Sequence, residues 1–189
     1  MKLIIGLGNP GKEYAHTRHN VGWDAVTAFA EQAQAPAFQP NKDFRAEITD
    51  AVVNETKVLF ACPLTFMNLS GEAVQKIAHY YHIEPKDILV VHDEMDYELG
   101  IFAFMKKGGS AGHNGVSSVQ EMMATDEIAR LRIGIGRPLP PMKKEDFVLQ
   151  HFSKEEQAIV DHTLERTRFA MTAWLDNGID HAMNEWNGH

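Results

Sequence analysis

Short apolar runs alternate with helix-periodic segments along this chain, and this alternation limits the fold more than any other feature. The runs at 2–8 (KLIIGLG) and 87–92 (DILVVH) predict buried strands, because both are short and rich in branched residues. Strands that alternate with helices favour an α/β architecture. We therefore expect one domain over residues 1–189, with a twisted mixed central sheet and helices on both faces.

The remaining elements follow from the same patterns. Further strands are predicted at 44–54 and 57–62 (a hairpin), 101–107 and 129–136. Helical spacing predicts helices over 21–34, from Asn68 or Ser70 to about Tyr81, and over 114–124. Asn20 is expected to cap the first helix, and the Pro-rich stretch 138–144 to form a surface connection. Ser153 and Glu156 have the spacing of a capping box, which predicts a last helix that Gly178 can end.

Composition narrows the class of protein. Apolar residues make up 44% and charged residues 23%, as in ordinary globular proteins. No apolar run approaches the roughly 20 residues of a membrane span, and the apolar N-terminal stretch is too short for a signal peptide. Cys62 is the only cysteine, so no internal disulfide can form and a cytoplasmic location is expected. We expect Cys62 to be a buried apolar residue rather than a nucleophile.

The charge is distributed unevenly. A formal net charge of −8 argues against a nucleic-acid partner. Residues 101–144, however, contain seven Lys and Arg against three acids, a local charge of +4, and the rest of the chain carries −12. This basic stretch is either a solvated face or a surface for a phosphate-bearing ligand.

Loops that follow strands are the places to look for a site, because ligands of open α/β sheets bind beyond the carboxyl ends of the strands. The loops so placed are 8–20, 63–70, 92–100 and 107–115. The first contains Gly6, Gly8 and Gly11 in the dinucleotide-binding pattern G-x-G-x-x-G. That pattern requires a helix at its third glycine, whereas the helical spacing here begins near Asn20. A dinucleotide site is therefore disfavoured.

The first and third loops together offer an acid–base pair. His19 lies in the first loop, and a histidine is the side chain best suited to move a proton near neutral pH. Such a base needs a carboxylate to fix its tautomer, and Asp93 ends the strand 87–92. Two alternatives remain: the acids at 93, 94 and 96 are an ordinary acidic turn, or they bind Mg²⁺. The histidines show no zinc-site spacing, and no metal is predicted.

The other two loops contribute amides and cations. Asn68 in CPLTFMNLSG is either a helix cap or an amide directed into the cleft. The loop KKGGSAGHNG combines Lys106 and Lys107 with four glycines, His113 and Asn114. Glycines allow a ligand to approach the backbone closely, and the lysines suit a phosphate group.

Five segments, in order over residues 3–138, resemble the bacterial-type peptidyl-tRNA hydrolases. They are GLGNPGKEYAHTRHNVG, PLTFMNLSGEAV, ILVVHDEMD, GGSAGHNG and RLRIGIGRP. The resemblance implies a cofactor-free enzyme that hydrolyses the ester between a peptide and the terminal ribose of tRNA. It also implies that peptidyl-tRNA is the partner, that no membrane is involved and that the protein is a monomer.

The resemblance assigns roles to individual residues. It implies that His19 is the catalytic base and that Asp93 orients it. The implied substrate-binding residues are Asn9, Tyr14, Met67, Asn68, His113 and Asn114. The basic strip predicted to contact tRNA consists of Lys106, Lys107, Arg130, Arg132 and Lys143. The strand FAFMKK departs from the family pattern, in which basic residues often alternate along the strand.

A second hypothesis comes from another class of protein. Non-catalytic RNA-binding proteins of organelles resemble the same family. The presence of His19, Asp93 and the asparagines at 9, 68 and 114 favours an active enzyme. A peptidyl-tRNA cleavage assay discriminates between the two.

Overall fold

The computed structural model describes residues 1–188, which form one seven-stranded sheet in the order β2-β3-β4-β1-β5-β7-β6. The strands are β1 (Lys2–Gly6), β2 (Gln39–Asn41), β3 (Ala46–Val53), β4 (Thr56–Pro63), β5 (Ile88–Glu94), β6 (Phe102–Met105) and β7 (Ala129–Gly134). The helices are α1 (Val21–Gln32), α2 (Ser70–Tyr81), α3 (Asn114–Met123), α4 (Lys144–Val148) and α5 (Lys154–Trp186). The predicted mixed α/β sheet is confirmed.

Strand direction determines where the loops meet. β4, β1, β5 and β7 are mutually parallel, so their carboxyl ends share one edge of the sheet. β3 pairs antiparallel with β4 in the predicted hairpin. β6 pairs antiparallel with β7, so the loop after β6 starts at the opposite edge and has to cross back toward the carboxyl end of β5.

Two apolar cores lie on the two faces of the sheet because successive strand residues point to opposite sides. Ile4 of β1 is buried with Phe29 of α1 and Trp174 of α5. Its neighbours Leu3 and Ile5 are buried in a second cluster that includes residues of α2 and α3. Helices therefore cover both faces, as the sequence predicts.

The glycine pattern of the first loop serves helix packing. A side chain at Gly22 of α1 would collide with the backbone carbonyl of Val91, and one at Gly6 would meet the backbone of Gly22. α1 begins only at Val21, well after Gly11. Gly6 and Gly22 thus bring α1 close to the sheet, and α1 does not place its N-terminus at Gly11, where a pyrophosphate would need it.

One local expectation is corrected. Asn20 precedes α1 but makes no capping bond with its side chain. Residues 144–148, beside the predicted Pro-rich connection, form the short helix α4. Gly178 ends the first helical part of α5, as expected: that residue leaves helical geometry (φ 80°, ψ 179°), and a second helical part, which the sequence did not predict, follows to Trp186. Ala182, in this second part, is fully buried in the core.

The end of the described chain packs on the edge strand β6. The side chain of Asn187 accepts a hydrogen bond from the Phe104 backbone N–H (2.7 Å) and donates one to the Phe104 carbonyl (3.0 Å). The ring of Trp186 lies 5.9 Å from that of Phe102. Within residues 1–188, no helix has the length and apolar character to cross a membrane.

Candidate active site

Asp93 lies at the carboxyl end of β5 and joins two loops through one oxygen. Its Oδ1 accepts a hydrogen bond from His19 Nδ1 and another from His113 Nε2, each 2.8 Å long. His19 belongs to a 3₁₀ turn, Arg18–Asn20, just before α1, and His113 immediately precedes α3. The carboxylate side chain is only 3% exposed. The predicted pair is therefore brought together, and His113 is added to it.

The hydrogen bonds fix the tautomer of each ring. His113 Nδ1 accepts from the backbone N–H groups of Gly115 and Val116, so its proton resides on Nε2, which donates to Asp93. His19 donates from Nδ1 to the same carboxylate, which leaves a lone pair on Nε2. No residue of the described chain 1–188 is hydrogen-bonded to that nitrogen. His19 is thus arranged as a base.

Burial and charge act against each other at this cluster. Burial acts to lower the pKa of His19, but the charge and hydrogen bond of Asp93 outweigh it, and the pKa is raised above its ordinary value. Burial likewise acts to raise the pKa of Asp93, yet the two histidines hold it far below the usual range. Asp93 is therefore ionised wherever His19 titrates.

His92 supports the cluster from within the sheet. Its Nδ1 donates to the Asp93 backbone carbonyl over 2.7 Å, and its ring lies 4.7 Å from that of His113 in an edge-to-face arrangement. Burial lowers the pKa of His92 well below its ordinary value, so this ring is neutral. The neutral His92 ring packs against His113 without adding a charge beside Asp93.

A cleft of about 170 Å³ opens onto the cluster. His19, Asp93, His113 and Asn114 line it. The short helix α4 contributes a wall through Lys144, Glu145 and Val148. Asn114 is exposed at the first turn of α3, with its amide available to a ligand.

The amide of Asn9 links two of the loops. Its side-chain oxygen accepts a hydrogen bond from the Met67 backbone N–H over 2.9 Å. The Asn20 side chain in turn bonds both the backbone N–H and the carbonyl of Asn9. Asn20 was expected only as a helix cap, and its true partner lies eleven residues earlier in the chain. Its side chain therefore supports the site rather than the helix.

The remaining predicted substrate contacts lie around this link. The Met67 side chain packs where any side chain on Gly115 would collide with it, so it joins the second loop to α3. Asn68 is exposed and makes no side-chain hydrogen bond to residues 1–188, and α2 begins after it, at Ser70. Tyr14 is half-buried, and its carbonyl accepts from Thr17 Oγ1 over 2.8 Å.

Two residues of the predicted basic strip are not available to a phosphate. Arg130 is only 3% exposed and donates to the carbonyls of Gly108 and Gly109. Arg132 donates twice to one carboxylate oxygen of Glu94, at 2.6 and 2.9 Å. Burial and pairing argue against tRNA contact by Arg130 and Arg132, because each holds part of the site: the glycine loop in one case and the turn after Asp93 in the other.

The lysines of the strip remain on the surface. Lys106 forms an ion pair with Asp180 of α5 at 2.8 Å, and Lys107 lies 3.8 Å from Glu127. Lys143 is exposed just before α4. These three cations are accessible, but Lys106 and Lys107 each have an acidic neighbour.

The metal and thiol alternatives lose their chemical basis in this arrangement. Glu94 is held by Arg132, Asp96 by Arg137, and Asp93 by two histidines. The histidines and Asp93 are close enough together for a metal ion, but His113 already uses one ring nitrogen as an acceptor and carries its proton on the other. Burial raises the pKa of the Cys62 thiol well above its ordinary value, which disfavours a thiolate nucleophile.

Fold and site together define an α/β protein with a buried histidine–carboxylate cluster beside a cleft. The profile of the peptidyl-tRNA hydrolase family matches residues 3–189. The chain belongs to this family. It is 42% identical to peptidyl-tRNA hydrolases of Staphylococcus epidermidis and Staphylococcus aureus over its full length and 98% of theirs. The crystal structure of the Acinetobacter baumannii peptidyl-tRNA hydrolase superposes with a TM-score of 0.94 at 32% identity, covering 100% of this chain and 95% of that one.

Proposed function

We propose that this chain hydrolyses the ester bond between a peptide and the terminal ribose of tRNA, with His19 as general base and Asp93 as its orienting carboxylate. The observation that carries the proposal is the free Nε2 lone pair of His19 beside the cleft, with Nδ1 bound to an ionised Asp93. Membership of the peptidyl-tRNA hydrolase family supports the choice of substrate.

The reaction needs one proton carrier. A water molecule attacks the ester carbonyl and gives a proton to His19 Nε2, while Asp93 stabilises the imidazolium that forms. When the tetrahedral intermediate collapses, the same proton passes to the departing ribose oxygen. The products are tRNA with a free ribose hydroxyl and the carboxylic acid of the peptide, which then loses its remaining proton to solvent and becomes a carboxylate. The ribose oxygen of an ester is a better leaving group than the nitrogen of an amide, so a second strong acid is not required.

The exposed amides are suited to the oxyanion and the peptide. Asn114 lines the cleft beside His19, and Asn68 has no internal hydrogen-bond partner in residues 1–188. We assign them to the water, the peptide carbonyl or the developing oxyanion, where one well-placed donor contributes about 2.7–4 kcal/mol. Asn9, Met67, Tyr14 and His113 complete the substrate-binding set.

The tRNA is expected to bind through phosphate contacts to Lys106, Lys107 and Lys143. These are the accessible cations of the basic strip, and their contacts would make affinity fall with salt. We also propose that the protein acts as a monomer in the cytoplasm and needs no cofactor. The alternative, a non-catalytic RNA-binding protein, would not need a tautomer-fixed base beside a cleft.

The largest expected effect is that of His19→Ala. We expect turnover of an N-acetyl-aminoacyl-tRNA to fall by about 10²–10⁴-fold, because the base is lost. His16→Ala is a matched control: His16 lies in the same loop, its side chain is 77% exposed, and it pairs with Asp24 instead. Release of free tRNA is measured by gel, with tRNA binding and the thermal melting curve as checks on the fold. Near-normal turnover by His19→Ala would remove this residue from the mechanism.

A further inference from the structure

Arg18, which directly precedes His19, is almost fully buried, with 5% of its surface exposed. One of its terminal nitrogens donates to the Ile135 carbonyl at 3.2 Å, and the other donates to Glu156 Oε2 at 2.5 Å. Burying a guanidinium is unfavourable unless its hydrogen bonds are satisfied. The question is what this ion pair holds in place.

The two partners of Arg18 flank the same segment of the chain. Residues 136–151, here called the wall segment, lie between Ile135, which follows β7, and Phe152, which precedes the start of α5. Within the segment, the Gln150 carbonyl accepts a hydrogen bond from the Arg18 backbone N–H at 2.9 Å. The guanidinium carbon lies 4.5 Å from the ring centre of Phe147 and 4.7 Å from that of Phe152. Arg18 thus contacts residues on both sides of the wall segment and the buried Phe147 within it.

The wall segment is part of the cleft. It carries α4, whose Lys144, Glu145 and Val148 line the space beside His19. Glu156 also accepts from the Ser153 N–H in the capping box of α5, so the ion pair connects the turn of His19 to the start of that helix. The same ion pair therefore holds both the turn that carries His19 and the end of the wall segment.

We propose that Arg18 is a positioning residue that fixes the α4 wall of the cleft relative to the base His19. The proposal rests on the proposed function, since it adds a determinant of the same site. Arg18 acts through the wall segment and through its own turn, and it does not touch the reacting atoms. Lysine cannot replace it, because one ammonium group lacks the planar fork that bonds Ile135 and Glu156 together.

The test uses Arg18→Lys in the full chain, with Arg45→Lys as control. Arg45 also pairs with a glutamate, Glu72, but its side chain is 43% exposed. We expect Arg18→Lys to lower the plateau of kcat/KM on an N-acetyl-aminoacyl-tRNA by about 10–100-fold, as a misplacement of about 1 Å does. The midpoint of the acid limb should stay unchanged, because burial and Asp93 shift the pKa of His19 and Arg18 does not contribute to that shift. Arg45→Lys should change neither.

A second measurement does not depend on catalysis. Hydrogen exchange of wall-segment amides should become about tenfold faster or more in Arg18→Lys, with β5 unaffected, since only the local anchor is weakened. A wild-type plateau, or wild-type exchange in the wall segment, would each overturn the positioning role. If the unaltered protein cleaves no peptidyl-tRNA, the proposed function fails, while the exchange result still decides whether Arg18 holds the wall.

Glu156→Gln keeps the proposal testable if Arg18→Lys does not fold. It retains an oxygen for the Ser153 N–H and removes the charge that Arg18 pairs with. The same two readouts should move in the same direction by a smaller factor. Movement of only one of them would contradict the proposal.

Discussion

The cluster at Asp93 and the lysines after β6 hold their charges in opposite ways. Asp93 is 3% exposed, and two histidines with fixed tautomers donate to a single oxygen of it. Lys106 and Lys107 are 53% and 64% exposed, and each has an acid from another element beside it. Burial makes the first arrangement unique, because any other would leave a charge unpaired. Solvent allows the second to exchange partners, which suits the proposed tRNA-binding surface.

The sharpest way to break the buried arrangement is Asp93→Asn. Removing the carboxylate weakens control of the His19 tautomer, and we expect kcat/KM to fall by about 10²-fold, within the range for a lost acid–base contribution. Burial of His19 remains, and burial acts to lower its pKa. The residual activity should therefore extend to lower pH than in the unaltered protein.

The direction of this pH dependence follows from the protonation state in which His19 reacts. His19 must be neutral to accept a proton, so activity is lost as pH falls through its pKa. That pKa is raised in the unaltered protein, which places the acid limb above the ordinary histidine value of about 6.5. A pH–rate profile of both proteins measures the displacement. An acid limb that stays in place in Asp93→Asn would mean that another group titrates there.

The exposed arrangement is tested by replacing Lys106 and Lys107 together with alanine. We expect KM for a tRNA substrate to rise by about tenfold at low salt, and the slope of log affinity against log salt to weaken by about one unit per lysine. Hydrolysis of a short aminoacyl ester should hardly change, because the cluster at Asp93 is intact. Equal losses on both substrates would contradict a role in tRNA binding.

The smallest expected effect sharpens the comparison. Asp180→Asn removes the acid that competes with phosphate for Lys106. Because the pair is exposed, its strength is modest, and tRNA affinity should improve by about twofold at low salt. The gain should disappear at high salt and in the background of Lys106→Ala. Persistence of the gain in that background would show that Asp180 acts by another route.

Much of the active centre could be predicted from the sequence because its chemistry is carried by residue types at strand ends. The contact between His19 and Asp93 was predicted in this way, and the resemblance carried by five ordered motifs suggested the reaction. The bond from His113 to Asp93 was missed, although a histidine immediately before a helix was a usable signal for a ring nitrogen acting as a cap. The order of elements was predictable for the same reason, since each long element has its own periodicity.

What the sequence missed depends on distant partners or very short elements. Arg18 meets Glu156 across 138 positions, and Arg132 meets Glu94 across 38, so neither pairing is visible in local spacing. Because of such pairings, two arginines of the basic strip, Arg130 and Arg132, bond to other parts of the protein, and only its lysines remain on the surface. β2 has three residues and α4 five, too short for a periodic pattern to appear.

The amide of Asn187 has a consequence for how this protein behaves in concentrated solution. β6 is an outer strand of the sheet, and an uncovered outer strand invites a neighbouring molecule to add its own strand. Asn187 occupies the main-chain N–H and C=O of Phe104 that such a neighbour would use. We therefore expect Asn187 to hinder self-association through this edge, and a version shortened before Asn187 should precipitate at concentrations that the full chain tolerates.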